Sequence, residues 1–369
     1  MNSVVRVKLR KKIDESYGIV IGYGFRERLA AMIARGGFGK QYCVITDSRM
    51  KTIYGKKLLA QFGKAGVKAV LLDFPAGEKS KNMKTVSALL EKMLASGIDR
   101  KACVVALGGG VAGDVAGFAA SIYMRGINFV QVPTTLLAMA DSSIGGKTGV
   151  DLSGAKNSAG SFSQPKKVYA CLEFLETLPK KEISNGMSEV VKHAIISDVE
   201  FFAFIEKNLP KVFALNRKTM LYVVKKNCEA KARVVEKDEK EGNYRRVVNF
   251  GHTIGHALEV LGKFSRLSHG QAISIGMVAE AEISRELGLM PATDVERIRR
   301  LFMKIGLPVR LPAYGPKKIL AKTRLDKKAV SGKVFYSLPA RIGKMHSRKG
   351  NFGIEVSDRT VLKALGRCG

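Results

Sequence analysis

Three of the five histidines in the chain, His252, His256 and His269, fall within 18 residues. They occupy the stretches NFGHTIGHALE and SHGQAISIGM, and the stretch GMSEVVKHAII contributes Glu189. Two imidazoles and one carboxylate form a ligand set that suits a divalent metal and leaves coordination positions open. By spacing alone, His252 and His256 share one helix face and would both be ligands. A lone histidine there would be an ordinary core residue, whereas the group of three favours a metal or catalytic site.

A glycine-rich loop lies about 80 residues upstream of Glu189, in ACVVALGGGVAGDVAGF. Gly108, Gly109 and Gly110 follow a predicted strand and precede a helix predicted to start near Val111. The free N–H groups and positive end of such a helix suit a pyrophosphate. A plain turn that needs glycine for positive φ is the alternative, and the preceding strand favours phosphate binding. With the open metal site, this predicts an enzyme that uses a nucleotide cofactor and a hydroxylated substrate.

Other polar residues stand where a ligand could meet them. Asp47 ends the strand of VITDSRM and could hold a ribose hydroxyl, although such residues more often cap a turn. PAGEKSK adds Glu78 and Lys81, residue types typical of a solvated loop. In QVPTTLLAMADSSIGGKTGVD, small uncharged residues surround Asp141 and Lys147. The spacing is not that of a P-loop, but a lysine on a glycine-rich turn can bind a phosphate or carboxylate.

The stretch GMSEVVKHAII places Glu189 and Lys192 three residues apart on one helix face. A surface ion pair is one interpretation. The flanking residues are apolar nearly all round, however, so the helix is predicted to be buried, and buried charges usually have a function or a partner. Further upstream, KNSAGSFSQP supplies Lys156 and Asn157.

The elements that must position these residues fall into two halves. Five strand candidates, YGIVIG, QYCVITD, KAVLLDF, ACVVALGGG and NFVQVPTT, alternate with amphipathic segments such as NMKTVSALLEKMLASG. After Leu175–Pro179 the period becomes helical, in FFAFIEKNLPKVFAL, KTMLYVVKKNCEAKARVVEKDE, GHTIGHALEVLG, AISIGMVAEAEISRELG and TDVERIRRLFMKIG. We predict an α/β domain with a parallel sheet at residues 1–175 and a mainly α-helical domain at residues 176–369.

Composition narrows the class of protein. The chain has 369 residues, 46% of them hydrophobic and 26% charged, the balance of a soluble globular protein with two domains. No apolar run approaches the roughly 18 residues of a membrane span, and no signal peptide is expected. Five scattered cysteines without a CxxC pair fit a reducing, cytoplasmic setting. The net charge of +31 could indicate nucleic-acid binding. The basic residues are spread along the chain without a nucleic-acid motif, which makes that function improbable.

Taken together, the segments resemble 3-dehydroquinate synthases, the sugar-phosphate cyclases of the shikimate pathway and aromatic amino acid biosynthesis. The resemblance runs from about Asp47 to Gly343. It rests on the ordered motifs GGGVAGDVAGF, YMRGINFVQVPTTLLAMADSSIGGKTGVD, KNSAGSFSQP, GMSEVVKH, DEKEGNYRRVVNFGHTIGHALE, SHGQAISIGM and LDKKAVSGKVFYSL. It implies an NAD-binding α/β domain followed by a helical domain, with the active site in the cleft between them. The implied reaction converts 3-deoxy-D-arabino-heptulosonate 7-phosphate into 3-dehydroquinate and phosphate.

The resemblance also implies a role for individual residues. Glu189, His252 and His269 would bind zinc or cobalt, and His256 would face the substrate. Arg125 would contact the substrate phosphate from the neighbouring subunit of a homodimer. The implied NAD residues are Asp47, Glu78, Lys81, Gly109, Gly110, Val111, Asp114, Thr134, Thr135, Lys147, Lys156, Phe174 and Thr177. The implied substrate residues are Asp141, Lys147, Asn157, Lys192, Lys231, Arg245, Asn249 and one lysine of the pair Lys327–Lys328.

Some features depart from the family pattern and keep alternatives open. Arg49 stands where an asparagine usually follows the strand-end aspartate, which weakly favours NADP. The glycine of DEKEGNYR is displaced by one residue, and LSGAKN replaces the more usual LGKN. The main alternative is another sugar-phosphate cyclase or a metal- and NAD(P)-dependent polyol-phosphate dehydrogenase of the same architecture. A basic nucleic-acid-binding protein is a remote alternative, because a binding protein has no need of an open metal site.

Overall fold

A computed structural model describes residues 13–152, 155–324 and 334–369 of the chain. Its first half is built on a six-stranded parallel sheet with strand order β1-β8-β5-β4-β2-β3. The strands are β1 (Gly18–Gly22), β2 (Tyr42–Asp47), β3 (Ala69–Phe74), β4 (Cys103–Gly108), β5 (Asn128–Pro133) and β8 (Lys167–Cys171). All five predicted strands are confirmed. The sixth strand, β8, is not among the predictions.

Both faces of this sheet are covered. Successive residues of β2 enter opposite hydrophobic clusters, since Val44 packs into one cluster and Cys43 and Ile45 into the other. Burial on both faces is why the strands are continuous apolar runs instead of alternating ones. The helices of this half are α1 (Leu29–Arg35), α2 (Ser48–Met50), α3 (Lys56–Lys64), α4 (Met83–Ala95) and α5 (Gly110–Ile122).

An antiparallel hairpin that was not predicted packs against α5. Its strands are β6 (Lys147–Leu152) and β7 (Ala155–Phe162). Gly149 faces Gly160 across the hairpin, and a Cβ on Gly160 would lie 2.1 Å from the carbonyl oxygen of Thr148. The strands approach closely because both positions lack side chains, and the small residues responsible carry little strand propensity.

The second half is mainly helical, as predicted. Its helices are α6 (Lys180–Ser197), α7 (Val199–Phe213), α8 (Arg217–Lys237), α9 (His252–Leu261), α10 (His269–Glu286), α11 (Ala292–Ile305), α12 (Pro316–Thr323) and α13 (Asp358–Gly366). Four short strands accompany them: β9 (Phe335–Tyr336), β10 (Pro339–Arg341), β11 (Lys344–Met345) and β12 (Ile354–Glu355). Helix α6 is buried over most of its length and packs against α7, α8 and α10. Within the described ranges, no helix has the length and apolar character needed to cross a bilayer.

Helices α9 and α10 meet with their backbones almost in contact. A Cβ on Gly276 would lie 2.0 Å from the carbonyl oxygen of Gly251, and a Cβ on Gly251 would lie 2.3 Å from Met277 Cγ. Gly251 has φ 80° and is the N-cap of α9, so glycine is required there for two reasons. This close approach holds the N-terminal end of α9, which begins at His252, against α10, which begins at His269.

Candidate functional site

The side chains of Glu189, His252 and His269, from three separate segments, converge at one point. Glu189 projects from the buried middle of α6, whereas His252 and His269 are the first residues of α9 and α10. One ligand-capable atom of each side chain lies within 4.8 Å of the others. His269 Nε2 is 3.1 Å and His252 Nε2 is 3.5 Å from Glu189 Oε1. Two ring nitrogens and one carboxylate so arranged can hold one divalent ion with further coordination positions open.

Hydrogen bonds on the far side of each ring set the tautomers. His252 Nδ1 lies 3.2 Å from the carbonyl oxygen of Phe250, and His269 Nδ1 lies 3.3 Å from Oε1 of the buried Glu259. Both acceptors call for a proton on Nδ1, so both Nε2 lone pairs can face an ion beside Glu189. Burial would lower the pKa of His269, but its hydrogen bonds to Glu189 and Glu259 raise it to about 9.

Glu259 is absent from the predicted site residues, although it ends the HALE motif. It lies seven residues after His252, on the same face of α9, and that spacing is the only signal in the sequence. Burial would raise its pKa, but the hydrogen bond and charge of His269, with the charges of Lys156 and His256, lower the pKa to about 2. Glu259 is therefore an anion that holds a candidate metal ligand in place.

His256 lies one turn after His252 and contributes no atom to the three-residue cluster. The two imidazole rings meet edge to face with centroids 5.3 Å apart. The geometry gives no support to the spacing argument in which both histidines are ligands. Contact between His256 and the substrate stays a prediction.

Behind the candidate metal ligands lies a buried group of charges around Asp141. Lys231 Nζ donates to Asp141 Oδ1 at 2.6 Å, and Lys192 Nζ lies 3.9 Å from the same oxygen. Lys192 also pairs with Glu189, and the two lysine side chains are only 1% and 5% exposed. Burial would raise the pKa of Asp141, but the charges of Lys231 and Lys192 hold it well below its ordinary value. The prediction that the helix carrying Glu189 and Lys192 is buried around these two residues is confirmed.

His193, which the sequence interpretation did not single out, completes this group. The ring is fully buried, with Nδ1 2.8 Å from Asn227 Oδ1 and Nε2 3.4 Å from Asp141 Oδ1. Asn227 Nδ2 donates to the carbonyl oxygen of Ala140 at 2.7 Å, which turns the amide oxygen towards His193 and places the ring proton on Nδ1. Burial lowers the pKa of His193. Its signal in the sequence is its place directly after Lys192 on the buried helix.

A second polar cluster gathers three predicted substrate residues near Gly145 and Glu241. Lys147 forms an ion pair with Glu241, and Asn249 Nδ2 donates to Glu241 Oε1 at 2.6 Å. Arg245 is 1% exposed and donates from Nη2 to the carbonyl oxygen of Gly145 at 2.9 Å. Gly145 has φ 98°, and a Cβ there would lie 2.4 Å from Arg245 Nη2. The side-chain donors of Lys147 and Asn249 thus both contact the carboxylate of Glu241.

Several predicted cofactor residues lie at the carboxyl edge of the sheet. Asp47 ends β2, and its Oδ1 accepts from the N–H groups of Arg49 and Met50, both at 2.9 Å. Asp47 therefore caps a helix, which is the alternative role considered from the sequence. Gly108 ends β4 with φ 151°, and Gly110 begins α5 without a side-chain cap. Open parallel sheets bind nucleotides at this edge, where helix N–H groups can meet phosphate.

Threonines from the end of β5 pack beside this loop. Thr134 donates its N–H to the carbonyl oxygen of Gly108 at 2.9 Å. A Cβ on Gly109 would lie 3.2 Å from Thr135 Cγ2, so the glycine lets the two segments approach. Val111 lies half-buried in the first turn of α5. Four residues implied to bind NAD thus surround the start of α5: Gly109, Val111, Thr134 and Thr135.

An ion-paired cluster joins the loop after β3 to α5 and the hairpin. Lys81 is 7% exposed, although its sequence context suggests a solvated loop. Its Nζ lies 2.6 Å from Asp114 Oδ2 and contacts Asn157. Burial would lower the pKa of Lys81, but the charges of Asp114 and Glu78 raise it. Lys156 pairs with Glu78 at 3.2 Å, so five predicted residues form one cluster.

The last two predicted cofactor residues lie in the turn after β8. Thr177 Oγ1 is 2.6 Å from the hydroxyl oxygen of Tyr54, and the Phe174 ring meets the Tyr54 ring with centroids 4.7 Å apart. Tyr54 belongs to the helical segment that follows Asp47. Phe174 and Thr177 therefore pack against the same segment that starts at the carboxyl edge of the sheet.

The structure does not bring Arg125 into these clusters. It lies beyond the C-terminal end of α5, about 20 Å along a 13-residue helix from the glycine loop. Met124, Arg125 and Gly126 have φ values of 48°, 69° and 109°, a left-handed run that non-glycine residues rarely adopt. The pair Lys327–Lys328, one lysine of which is predicted to bind the substrate, lies outside the described residues.

Together these clusters place the candidate metal ligands between the carboxyl edge of the sheet, a candidate phosphate-binding edge, and a group of buried cations. A dinucleotide could lie along the edge, and an anionic, hydroxylated substrate could bind the lysine and arginine side chains. A metal between them could polarise a substrate oxygen. The arrangement suits redox or elimination chemistry on a sugar-like anion.

Comparison with protein families gives two adjoining matches. The family described as 3-dehydroquinate synthase N-terminal matches residues 71–185, and that described as 3-dehydroquinate synthase C-terminal matches residues 186–329. The 3-dehydroquinate synthase of Thermodesulfovibrio yellowstonii is 42% identical over 360 residues, which is 97% of this chain and 99% of that protein. The 3-dehydroquinate synthase of Caldanaerobacter subterraneus subsp. tengcongensis is 42% identical over 95% of this chain and 97% of that protein.

Solved structures share the whole architecture. One is ValA, a 2-epi-5-epi-valiolone synthase from Streptomyces hygroscopicus subsp. jinggangensis 5008 with NAD+ and Zn2+ bound. It is 29% identical with a TM-score of 0.88, and the match covers 98% of this chain and 99% of that chain. Another is a 2-deoxy-scyllo-inosose synthase complexed with carbaglucose-6-phosphate, NAD+ and Co2+. It is 30% identical with a TM-score of 0.86, covering 95% and 96% of the two chains.

Proposed function

The chain belongs to the 3-dehydroquinate synthase family, and we propose that it converts 3-deoxy-D-arabino-heptulosonate 7-phosphate into 3-dehydroquinate and phosphate. The observation that carries this proposal is the convergence of Glu189, His252 and His269 beside the buried cations Lys192 and Lys231. An open metal site next to paired lysines suits a substrate that is both hydroxylated and anionic.

The residues present fit both groups that the reaction needs. Glu189, His252 and His269 would hold zinc or cobalt, since both imidazoles present Nε2 to the carboxylate. NAD would lie along the carboxyl edge of the sheet, with its phosphates at the start of α5. When bound, NAD would supply reversible hydride transfer at a ring hydroxyl, and the metal would supply Lewis acidity at that oxygen.

The side chains of the chain would bind and orient the substrate. Asp141 lies 2.6 Å from Lys231 Nζ and 3.9 Å from Lys192 Nζ and holds both lysines in the core, where their N–H groups can donate to hydroxyl or phosphate oxygens. Arg245 offers a buried guanidinium to the substrate carboxylate, and His256 lies beside the candidate ligands for proton transfer. Holding one flexible anion in a single conformation is the main contribution expected of the protein.

Phosphate release from the heptulosonate phosphate tests the proposal. The assay is run with and without NAD, and after treatment with a chelator followed by zinc or cobalt. We expect release only with both groups present, with catalytic amounts of NAD and no accumulation of NADH. Accumulation of one NADH per substrate would instead indicate a polyol-phosphate dehydrogenase. Turnover of substrates that lack the carboxylate would indicate another sugar-phosphate cyclase.

We also propose a homodimer in which Arg125 completes the partner's site. Arg125 lies beyond the end of α5 that is opposite the glycine loop, and three apolar residues of this end of α5 and of the adjoining hairpin, Ile122, Met124 and Phe162, are 40%, 40% and 46% exposed. Ser121 and Ser161, in the adjoining helix and hairpin, are hydrogen-bonded at 2.7 Å, which brings Phe162 close to Ile122. An exposed apolar group beside a strained arginine suits an interface between two copies.

Mixing two inactive variants tests this arrangement. Arg125→Ala and His256→Ala each disable every site of their own dimer. After subunit exchange, half of the dimers are mixed and one of their two sites is intact, so activity should return to about a quarter of the wild-type value. A monomer by sedimentation, or no recovery after proven exchange, would contradict the proposal.

Location and domain limits complete the proposal. All five cysteines are buried and free of disulfides, which supports a reducing, cytoplasmic setting. The sheet ends at Cys171 and the first long helix of the second half starts at Lys180. We therefore keep residues 1–175 and 176–369 as the proposed NAD-binding and metal-binding domains.

A further inference from the structure

Glu259 occupies a position between the two halves of the candidate site. Its Oε1 lies 3.3 Å from His269 Nδ1 and 3.2 Å from Lys156 Nζ. The Glu259 side chain is 3% exposed, so its carboxylate is shielded from solvent in both contacts. One buried oxygen therefore serves both a candidate metal ligand and a lysine of the cofactor cluster.

Lys156 extends this contact towards the sheet. Its Nζ lies 3.2 Å from Glu78 Oε1, so one ammonium group is shared between Glu78 and Glu259. Its side chain is 20% exposed and also lies over the Phe264 ring, 4.9 Å from the centroid. Burial would lower the pKa of Lys156, but Glu259 and Glu78 raise it, so the ammonium stays charged. The line Glu78–Lys156–Glu259–His269 is thus a series of adjacent charged or polar contacts.

We propose that Glu259 couples the metal site to the cofactor site, so that zinc and NAD each bind more tightly when the other is present. This inference rests on the proposed roles of the two sites. Glu259 touches neither ligand and acts through His269 and Lys156, as a positioning residue. The coupling is a free energy shared by both sites, so it must be the same in both directions.

The sign of the coupling follows from the charges. A metal on the Nε2 side of His269 polarises the Nδ1–H group and draws the Glu259 carboxylate towards the ring. The ion pair between Lys156 and that carboxylate then weakens, so the Lys156 ammonium group can bind an anionic ligand on the Glu78 side. Conversely, a dinucleotide that engages Lys156 leaves Glu259 to polarise His269 fully, which strengthens Nε2 as a metal ligand.

Calorimetric titrations test the proposal without any measurement of turnover. The dissociation constant of NAD is measured with and without saturating zinc, and that of zinc with and without saturating NAD. For the wild-type chain we expect each ligand to tighten the other by the same factor, about 5- to 150-fold. For Glu259→Gln we expect zinc alone to bind roughly 10- to 100-fold more weakly, and the coupling factor to fall to about one.

Glu282→Gln is the matched control. Glu282 is also a buried carboxylate, 1% exposed, and it accepts from Arg299 at 2.8 Å on the far part of α10. This variant should keep both dissociation constants and the wild-type coupling factor. A wild-type factor of one, or a Glu259→Gln variant that keeps the wild-type factor, would overturn the inference. If the wild-type chain bound neither ligand, the proposed function itself would fail, and the inference with it.

Discussion

Replacing Asp141 with asparagine should strongly destabilise the metal-free chain. The substitution removes the anion 2.6 Å from Lys231 and 3.9 Å from Lys192, two ammonium groups that are almost fully buried. Lys192 keeps its ion pair with Glu189, but Lys231 loses its partner, and removing one partner of a buried pair costs about 3–5 kcal/mol. With an unfolding entropy of roughly 0.8 kcal/mol/K for a chain of this length, Tm should fall by about 4–6 °C.

The deficit should shrink as pH rises. Burial already lowers the pKa of Lys231 in the wild-type chain, with Asp141 opposing the shift. In Asp141→Asn that opposition is lost, so the folded pKa falls further below the value in the unfolded chain. Between these two values the unfolded state binds more protons, and the free energy of unfolding therefore rises with pH.

Scanning calorimetry in the presence of a chelator measures both effects. Asp73→Asn is the matched control, since Asp73 pairs with Lys51 at 2.8 Å with side chains 29% and 38% exposed. An exposed pair contributes less than about 1 kcal/mol, so this variant should lose no more than about 1 °C. Equal losses of Tm in the two variants, or a deficit in Asp141→Asn that grows with pH, would refute the reasoning.

Three further predictions concern residues of α9 and α10. His252→Ala should lose the metal, whereas His256→Ala should keep the metal and turn over roughly 10²–10⁴-fold more slowly. The metal content of both purified variants tests this prediction. Equal loss of metal in the two variants would show that His256 is a ligand. Because the pKa of His269 is raised to about 9 in the metal-free chain, zinc binding at pH 7.5 should release about one proton. Calorimetry in buffers of different ionisation enthalpy measures that number, and a value of zero would contradict a charged His269. Gly276→Ala should lower the free energy of unfolding by about 1–3 kcal/mol or more and weaken zinc binding, because its Cβ would lie 2.0 Å from the Gly251 carbonyl oxygen. An unchanged free energy of unfolding in a denaturant titration would show that the two helices can move apart to accept the methyl group.

Local patterns in the sequence were sufficient for most of the fold. The strand of QYCVITD was predictable because burial on both faces makes it a continuous apolar run. The burial of Lys192 is predictable because the residues that flank it on the helix are apolar nearly all round. The convergence of Glu189, His252 and His269 was expected from ligand chemistry and from the family resemblance, and it could not be derived from spacing.

What the sequence could not show depends on partners distant in the chain. Lys81 is buried because Asp114 meets it from another element, and PAGEKSK alone contains no sign of this. Glu259 looks like an ordinary helix acid until α10 brings His269 against it. The sequence contains no local strand signal for the hairpin of β6 and β7, because its glycines pair across strands. The role of His193 has no signal in its local sequence, because it arises from contacts with Asn227 and Asp141.

Glu189 and His269 are 80 residues apart in sequence and 3.1 Å apart in space. With the proposed ion in place, α6 and α10 are tied together only in the folded chain, so the ion protects that state by mass action. A free concentration 100 times the dissociation constant adds about 2.7 kcal/mol to the free energy of unfolding. The lifetime of the protein against cellular proteases would then follow the supply of free metal. A cell starved of the ion would lose the protein itself as well as its turnover.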